Sequence, residues 1–390
     1  MTDPAPLRSG PPEGLALMLG GGGARGAYQA GVLRGIAKRF PTLGFPILSG
    51  ISAGAVNTIH LASHRGTLTE AADALVDLWL RLSPGQVYNV HARALLNTMF
   101  SWGSRLISGG MGAGREPMRG MVDTDPLRQF LTKVLERDAD GRFPGIADNI
   151  HMGRLRAVAL SATSYTTGQS MTWVEGGDIE LWQRPQRRSA RERLTVEHVM
   201  ASSALPMIFP AVKVDNEWFG DGGVRLTAPL SPALHLGARR IITISTRYQR
   251  TRVEADRPLT ADYPPPAQVL GVLYNAVFLD LIDEDILRLR KVNHILRGIP
   301  PQSRDGMRIV DIFVMRPSRD LGKLAGEFEV KLPLLFRYLT RGLGTKDTAS
   351  PDIVSLVLFQ RDYLQKLVEI GEADAAAQGD ALAAFLDEPD

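Results

Sequence analysis

Short apolar runs alternate with helical stretches along the first part of the chain. The run Leu15–Leu19 ends in four glycines, and Ala27–Phe40 has the apolar spacing of a helix. A second short run, Phe45–Leu48, leads through a turn into another helical stretch that ends near His64. This order of strand, loop and helix, occurring twice, predicts a parallel sheet covered by helices.

The same patterns predict further elements along the chain. Helical periodicity covers Thr69–Leu82, Asp125–Glu136 and Thr195–Ala204. Strands are predicted at Leu155–Ser161, Ser170–Val174, Arg240–Ser245 and Ile309–Val314. The segment Glu217–Gly223 is predicted to be a turn.

The sequence pattern changes after Arg247. The segment Arg257–Pro266 contains four prolines, and the chain after it is mostly amphipathic helix. We therefore predict a flexible N-terminus over residues 1–14, an α/β domain over residues 15–247 and a mostly helical region over residues 248–390. The Ala-rich tail from Glu372 is expected to form a frayed helix.

Composition excludes several classes of protein. The chain has 390 residues, of which 44% are hydrophobic and 22% charged, as in a folded globular protein. It contains no cysteine, which excludes a disulfide scaffold, a thiolate zinc site, an iron–sulfur cluster and a cysteine nucleophile. The net charge of +3 is close to balanced, so we expect no nucleic-acid partner.

Signals for export or membrane insertion are not evident in the sequence. Met1–Gly14 has neither the basic start nor the apolar run of a secretory signal. The longest near-apolar stretch, Val269–Leu279, is shorter than the ~20 residues that span a bilayer. We expect a cytoplasmic protein with at most peripheral contact at the inner membrane face, although export without a cleavable signal would leave the same pattern.

A glycine-rich loop over Gly20–Gly26 contains the pattern G-x-G-x-x-G between a strand and a helix. A dinucleotide site needs an acidic residue ~20 positions later, but the chain has none between Glu13 and Glu70. A P-loop needs Gly-Lys-Ser/Thr, which Arg25-Gly26-Ala27 does not supply. Two interpretations are left: a tight turn, or an anion cradle of backbone N–H groups at a helix N-terminus.

The second loop, Gly50-Ile51-Ser52-Ala53-Gly54, has the pattern G-x-S-x-G at a strand-to-helix turn. This context is typical of a nucleophile elbow, in which a strained turn exposes the serine hydroxyl at the start of a helix. The two loops lie close together in the sequence. One could therefore supply a nucleophile and the other an oxyanion hole.

A serine nucleophile needs a base that accepts its proton. A Ser-Asp-His order would use His235 or His294 after Asp221, but hydrolases of that type place more strands before the elbow. Asp221 itself is the other candidate, because Gly220 and Gly222 flank it on a tight turn. From the residues alone, the choice between these bases and an ordinary turn stays open.

Four motifs in order resemble the patatin-like phospholipase family. They are Gly21–Gly26, Gly50–Gly54, Ala201–Pro206 with Phe209-Pro210 behind it, and Asp221-Gly222-Gly223. The resemblance covers roughly residues 15–247, the predicted catalytic domain. It implies a three-layer α/β/α fold with a mainly parallel central sheet, followed by the mostly helical C-terminal region.

The resemblance also implies roles for individual residues. It makes Ser52 the nucleophile and Asp221 the general base of a dyad that lacks histidine. It assigns the oxyanion hole to Gly21, Gly22, Gly23, Arg25 and Gly26. The elbow glycines are Gly50 and Gly54, and the turn that supports the base contains Gly222 and Gly223. No metal or cofactor is implied, and no calcium-loop pattern is evident.

The implied function is a metal-independent serine acyl hydrolase acting on phospholipid or lysophospholipid esters. Two alternatives use the same scaffold: an acyltransferase that passes the acyl group to another alcohol, and a catalytically inactive lipid-binding protein. Acyl-chain length, headgroup and position preference depend on pocket shape and are not predicted.

Three segments are candidates for contact with a lipid surface: His91–Ile107, Gln268–Ile299 and Lys331–Arg341. Each combines apolar bulk with flanking basic residues, a pattern that core helices share with interfacial ones. A run of arginines could attract anionic headgroups or be a solvated loop: Arg184, Arg187, Arg188, Arg191 and Arg193. Residues 248–390 could form a lid, a membrane dock or a dimer surface, and the oligomeric state is not predicted.

Overall fold

The computed structural model describes residues 14–89, 120–256, 263–264, 266–328 and 352–387. Two of the candidate lipid-contact segments, His91–Ile107 and Lys331–Arg341, lie outside the described residues. The same holds for residues 1–13 of the predicted flexible N-terminus and for most of Arg257–Pro266.

Ten strands within the described residues form one sheet. They are β1 (Leu15–Leu19), β2 (Ile47–Ile51), β3 (Ala157–Ser164), β4 (Ser170–Gly176), β5 (Gln183–Arg184), β6 (Arg187–Arg191), β7 (Val212–Val214), β8 (Glu217–Asp221), β9 (Arg240–Ile244) and β10 (Asp311–Met315). The order across the sheet is β10-β9-β1-β2-β3-β4-β6-β5, with β8 also paired to β3 and β7 to β8.

Helices connect and cover these strands. They are α1 (Gly26–Arg39), α2 (Ala53–Ser63), α3 (Leu68–Arg81), α4 (Pro84–Val87), α5 (Asp125–Val134), α6 (Pro144–His151), α7 (Val196–Ser202), α8 (Ser231–His235), α9 (Arg252–Ala255), α10 (Pro266–Phe278), α11 (Leu281–Arg297), α12 (Leu321–Gly326), α13 (Asp352–Val357), α14 (Arg361–Ala377) and α15 (Gly379–Asp387). Short 3-10 turns cover Gly23–Arg25, Gly222–Val224 and Pro301–Ser303.

The central strands β10, β9, β1, β2 and β3 are parallel to one another. Their carboxyl ends therefore meet at one edge of the sheet, which is where ligands bind in open α/β folds. The register places Ile51 beside Ser161, and Asp221 of the antiparallel strand β8 beside Ala162. Strand β4 occupies one edge of β3 as far as Thr163, so β8 continues along the same edge of β3 as β2, and Ser52 and Asp221 lie next to each other on that edge.

Alternate residues of β1 belong to two separate hydrophobic cores. Leu15, Leu17 and Leu19 pack with the helices on one face, whereas Ala16 and Met18 pack with those on the other. Side chains of a strand point alternately to the two faces of its sheet, so helices cover both faces. This arrangement confirms the predicted three-layer fold with a mostly parallel sheet.

The predicted turn at Glu217–Gly223 was wrong over most of its length. Residues Glu217–Asp221 form strand β8, which pairs with β7 and with β3, and only the 3-10 turn Gly222–Val224 follows it. Pairing on both sides supplies backbone hydrogen bonds that local sequence does not reveal, and it outweighs the turn preference of the glycines.

The long helix predicted at Gln268–Ile299 consists of two helices, α10 and α11. The expected frayed tail is also wrong, because α14 packs closely against α1. A Cβ atom at Gly31 would lie 2.2 Å from the Val368 carbonyl oxygen, and one at Gly371 would lie 2.3 Å from the Tyr28 carbonyl oxygen. The absence of side chains at this crossing lets the two helix backbones approach closely.

The chain after residue 248 is part of the same sheet and core. Strand β10 pairs with β9 in parallel register, from Asp311 beside Arg240 to Met315 beside Ile244. Leu364 and Leu367 of α14 belong to the same core as Leu17 of β1. Residues from both predicted regions therefore contribute to one hydrophobic core.

Candidate active site

Ser52 lies in a tight turn between β2 and α2 at the carboxyl edge of the sheet. Its backbone has φ 56° and ψ −127°, a conformation that costs a residue with a side chain ~1–3 kcal/mol. Glycines on both sides make room for the turn: a Cβ at Gly50 would lie 2.3 Å from Thr58 Oγ1, and one at Gly54 would lie 2.1 Å from the Leu19 carbonyl oxygen. This is the geometry expected of a nucleophile elbow.

Asp221 ends strand β8 and is completely buried, with an exposed fraction of 0%. Its Oδ1 accepts a hydrogen bond from the Gly223 N–H at 2.9 Å, whereas its Oδ2 accepts none within the described residues. Burial raises the pKa of Asp221 to about 7, while the nearby Ser52 hydroxyl and the Gly223 N–H act in the opposite direction. A carboxylate with this pKa is a far better base than an exposed aspartate.

The glycine loop after β1 lies against Ser52. A Cβ at Gly21 would lie 3.2 Å from Ser52 Cβ. Gly22 and Gly23 have φ values of 152° and 55°, and their N–H groups donate to no acceptor within the described residues. Free N–H groups beside a serine can hold the negative charge that develops on a substrate oxygen.

Arg25 and Gly26 differ from the prediction, because neither backbone N–H is free. The Arg25 N–H donates to the Gly22 carbonyl at 3.0 Å, and the Gly26 N–H donates back to Gly23. The buried Arg25 guanidinium binds Asp352 at 2.7 Å and Ser355 at 2.8 Å, both on α13. Arg25 therefore anchors the loop to the C-terminal region, where the prediction had it in the oxyanion hole.

The two glycines after Asp221 occupy crowded positions. A Cβ at Gly222 would lie 2.2 Å from the Ser161 carbonyl oxygen. One at Gly223 would lie 2.4 Å from the Phe278 ring of α10. The turn can therefore lie under α10 and beside β3 only when both positions lack a side chain.

Several buried polar residues that the sequence analysis missed orient the glycine loop. Thr246 Oγ1 donates to the Gly21 carbonyl at 2.7 Å. Gln29 Nε2 donates to the Gly20 carbonyl at 2.9 Å, and Asn57 Nδ2 donates to Gln29 Oε1 at 2.9 Å. Gln29 and Asn57 are polar residues in otherwise apolar parts of α1 and α2, and this contrast is the sequence signal that could have identified them.

A cavity next to the elbow is lined by Gly21, Ile51 and Gly223, but not by Ser52 or Asp221, and its volume of about 30 Å³ is enough for one water molecule. Its lining is largely apolar and includes Met18, Ile51, Leu226, Phe278 and Ile282. Ser52 itself is only 2% exposed. The described residues thus enclose the site in a closed state.

Helix α10 closes the site through two polar contacts as well as the Phe278 ring. Tyr274 Oη donates to the Pro206 carbonyl at 2.5 Å, and Asn275 Nδ2 donates to Asp352 Oδ2 at 2.7 Å. Burial, together with the charge of Asp221, raises the pKa of Tyr274 to about 12. The phenol is therefore neutral near neutral pH and can donate this hydrogen bond.

The two histidines considered as alternative bases have other surroundings. His235 stacks on Trp182 with ring centroids 4.4 Å apart, and burial together with nearby arginines lowers its pKa. His294 is exposed on α11. Neither donates to or accepts from Ser52 or Asp221 among the hydrogen bonds of the described chain. Nor do any three His, Asp or Glu side chains of these residues come together as a metal site.

Comparison with known families identifies the class of protein. The model of the family described as "Patatin-like phospholipase" matches residues 17–234, more than half of the chain. The chain therefore belongs to the patatin-like phospholipase family, and this match supports an enzyme of the lipid ester hydrolase class. A comparison with curated proteins finds no match.

Solved structures similar to this chain include a Legionella protein, a human phospholipase and a type III effector protein. VipD from Legionella pneumophila is 12% identical, with a TM-score of 0.32 and coverage of 92% of this chain and 67% of its own. Human GIVD cytosolic phospholipase A2 is 11% identical, with a TM-score of 0.44 and coverage of 95% and 62%. The type III effector protein ExoU is 13% identical, with a TM-score of 0.30 and coverage of 97% and 61%.

Helices able to cross a membrane are not found among the described residues. The apolar segment Val269–Leu279 lies mostly within α10, which has 13 residues and packs over the active site.

Proposed function

We propose that this protein is a metal-independent serine acyl hydrolase in which Ser52 and Asp221 form the catalytic dyad. The observation that carries the proposal is the buried Asp221 carboxyl close to the Ser52 hydroxyl, with a pKa raised to about 7 and an oxygen that is free to take a proton. The free N–H groups of Gly22 and Gly23 beside the same serine add an oxyanion hole.

The proposed reaction has two halves. Ser52 Oγ attacks the ester carbonyl carbon while its proton passes to Asp221, and the N–H groups of the glycine loop hold the oxyanion. The ester C–O bond then breaks, and Asp221 gives the proton to the departing alcohol. In the second half, a water molecule loses a proton to Asp221 and attacks the acyl-serine. The fatty acid is released, and the proton returns to Ser52.

The proposed substrates are phospholipid or lysophospholipid esters. The surroundings of the elbow are mainly apolar, with Met18, Leu226, Phe278 and Ile282 around the small cavity next to it, and they favour an acyl chain over a polar group. We propose a peripheral contact with the membrane surface and a cytoplasmic location, with no nucleic-acid partner. The closed site means that α10 must move before a lipid can enter.

The test combines covalent labelling with turnover. Wild-type protein, Ser52→Ala and Asp221→Asn are treated with a fluorophosphonate, and fatty-acid release from mixed phospholipid vesicles is measured. We expect labelling to vanish with Ser52 and turnover to vanish with either substitution. Full esterase activity in Ser52→Ala would disprove the dyad.

Two further outcomes separate the alternatives. Transfer of the acyl group to an added lipid alcohol, in preference to water, would identify an acyltransferase. A wild-type protein that binds vesicles but neither releases fatty acid nor reacts with the fluorophosphonate would be a lipid-binding protein on this scaffold.

A further inference from the structure

One buried tripeptide touches the backbones of both proposed catalytic residues. Ser202-Ser203-Ala204 begins at the last residue of α7, and we name it the dyad clamp. The Ser52 N–H donates to Ser202 Oγ at 3.0 Å, and Ser203 Oγ donates to the Ser52 carbonyl at 3.0 Å. The Asp221 N–H donates to the Ala204 carbonyl at 2.9 Å. Three consecutive residues therefore hold Ser52 at two points and Asp221 at one.

We propose that the dyad clamp positions Ser52 relative to Asp221, and that Ser202 and Ser203 are positioning residues for the reaction. The inference rests on the proposed function, since it assumes that these two residues form the dyad. It assigns a role to two hydroxyl groups that have no part in the chemical steps themselves.

The clamp addresses a geometric problem of a two-residue catalytic site. Ser52 and Asp221 lie at the ends of different strands, and no third side chain of the described residues hydrogen-bonds the Asp221 carboxyl, although the Thr163 hydroxyl donates to the Asp221 backbone carbonyl at 2.9 Å. Serine 52 also has an unfavourable backbone conformation, φ 56° and ψ −127°, which persists only if neighbouring groups hold it. The Ser202 and Ser203 hydroxyls bind the N–H and the carbonyl of this same residue, so they hold the strained peptide units from both sides.

A further bond ties the clamp to strand β3, with which both Ile51, next to Ser52, and Asp221 are paired. Ser202 Oγ donates to the Ser161 carbonyl at 2.7 Å while it accepts from Ser52. The same carbonyl lies against Gly222, where a Cβ would approach it to 2.2 Å. Ser202 is fully buried, so water cannot take the place of these hydrogen bonds when they are removed.

The experiment compares Ser202→Ala, Ser203→Ala and Ser203→Thr with a matched control. The control is Ser189→Ala, because Ser189 Oγ also binds both backbone groups of another residue, accepting from the Trp182 N–H at 2.8 Å and donating to its carbonyl at 3.1 Å. Trp182 is not part of the proposed site. Steady-state kinetics use a soluble ester, well below the melting temperature of each variant.

We expect Ser202→Ala to lower kcat by roughly 100-fold and Ser203→Ala by roughly 10-fold, with little change in KM, because small displacements of reacting groups are costly. Ser203→Thr keeps the hydroxyl and should restore most of kcat. Ser189→Ala should change the melting temperature without a comparable loss of kcat. If the clamp variants lose no more kcat than Ser189→Ala, or if Ser203→Thr is as slow as Ser203→Ala, the inference is wrong.

A second measurement separates this inference from the proposed function. Amide hydrogen exchange at Ser52 should become faster in Ser202→Ala than in wild type, whether or not the protein is an esterase, because its acceptor is gone. An active wild type with unchanged kcat and unchanged exchange in Ser202→Ala contradicts the clamp alone. A wild type that lacks esterase activity contradicts the dyad, and the positioning role falls with it.

Discussion

Residues 15–247 and residues 248–387 contribute to the same site in different ways. The first region supplies the proposed nucleophile, the base and the glycine loop, and every motif recognised in the sequence lies there. The second region has no motif of its own, yet Phe278 packs on Gly223, and the Leu356 carbonyl lies where a Cβ of Gly23 would be. Reactive groups thus come from one region, and the surfaces that enclose them come from the other.

This difference shows what a family match can miss. The family model ends at residue 234, but the ion pair that holds the glycine loop joins Arg25 to Asp352. Arg25 is in a recognised motif, whereas its partner lies 327 positions away at the start of a six-residue helix that has no motif. Contacts of this kind depend on how distant parts of the chain pack together, and therefore on the length and path of the chain that connects them.

The division between a reactive and an enclosing region is tested most strongly by replacing one buried carboxyl in each region with an amide. Asp221→Asn should lower kcat by roughly 10^3- to 10^4-fold, because an amide cannot take the Ser52 proton. Asp285→Asn is the matched control, since Asp285 is also buried with a raised pKa and its Oδ2 accepts the Leu230 N–H at 2.9 Å. Kinetics with a soluble ester give both values.

The control should keep kcat near that of wild type, because an asparagine carbonyl can still accept from Leu230. Comparable losses in the two variants would mean that kcat reports fold integrity, and the division between reactive and enclosing regions would fail.

The contact between the glycine loop and α13 can be tested at Gly23. An alanine there would have an unfavourable φ of 55°, and its Cβ would lie 2.0 Å from the Leu356 carbonyl oxygen. We expect Gly23→Ala to lower kcat by roughly 100-fold, as when an oxyanion donor is lost or displaced. The measurement is fluorophosphonate labelling rate together with kcat.

Gly153→Ala provides the control for backbone strain. Gly153 has a φ of 71°, but its Cβ would meet no atom within 4 Å. It should cost ~1–2 kcal/mol of stability from the left-handed conformation alone and leave kcat unchanged. If both alanines reduced kcat equally, contact with α13 would have no particular importance for the loop.

A smaller effect is expected when the ion pair between the two regions is removed. Asp352→Asn weakens the bonds to Arg25 and Asn275 but keeps the size of the side chain. We expect a loss of ~2 kcal/mol in the free energy of unfolding and a decrease of roughly 10-fold in kcat as the glycine loop becomes less well held. Urea unfolding and kinetics measure the two quantities.

Asp380→Asn removes a different ion pair, between Arg39 and a side chain that is 96% exposed. Surface pairs contribute little to stability, so this variant should behave like wild type. A loss of stability without loss of kcat in Asp352→Asn would limit the role of α13 to packing.

The sequence predicted the elements that depend on local pattern. The runs around β1 and β2 and the strained turn at Ser52 follow from apolar spacing and from glycines at fixed positions. Strand β8 was not predicted, because its pairing with β3 involves residues more than 50 positions away. The packing of α14 on α1 depends on a pair of distant glycines, Gly31 and Gly371, whose meeting has no local signal.

The candidate site was predictable to a similar extent: residues in a local pattern were found, and roles that depend on distant contacts were not. The residues alone made Asp221 one candidate base among several, and only the resemblance selected it, because an Asp-Gly-Gly turn is common in other contexts. Arg25 was assigned to the oxyanion hole, whereas its guanidinium binds Asp352. The sequence analysis had no means of anticipating this distant contact. Thr246 was missed because a single threonine after a buried strand has no pattern that distinguishes it.

The last expected effect concerns stability and leaves kcat aside: its dependence on pH should differ between the two buried carboxyls. The pKa of Asp221 is raised to about 7 in the folded protein, against ~3.9 in an unfolded chain. Between these values the folded state binds a proton that the unfolded state has lost. Stability from this group therefore falls as pH rises from about 4 to 7, by at most ~1.4 kcal/mol per pH unit, and is constant above that range.

Thermal melting of wild type, Asp221→Asn and Asp285→Asn between pH 4 and pH 8 tests this sign. Asp221→Asn should gain stability relative to wild type as pH rises through this window, because the amide carries no charge to bury. Asp285→Asn should shift in the same direction but over a narrower range, since the Leu230 N–H and nearby arginines hold its pKa down against burial. A gap between wild type and Asp221→Asn that does not change with pH would mean that the carboxyl is solvated in the folded protein. The proposed base would then lack the raised pKa on which its catalytic role depends.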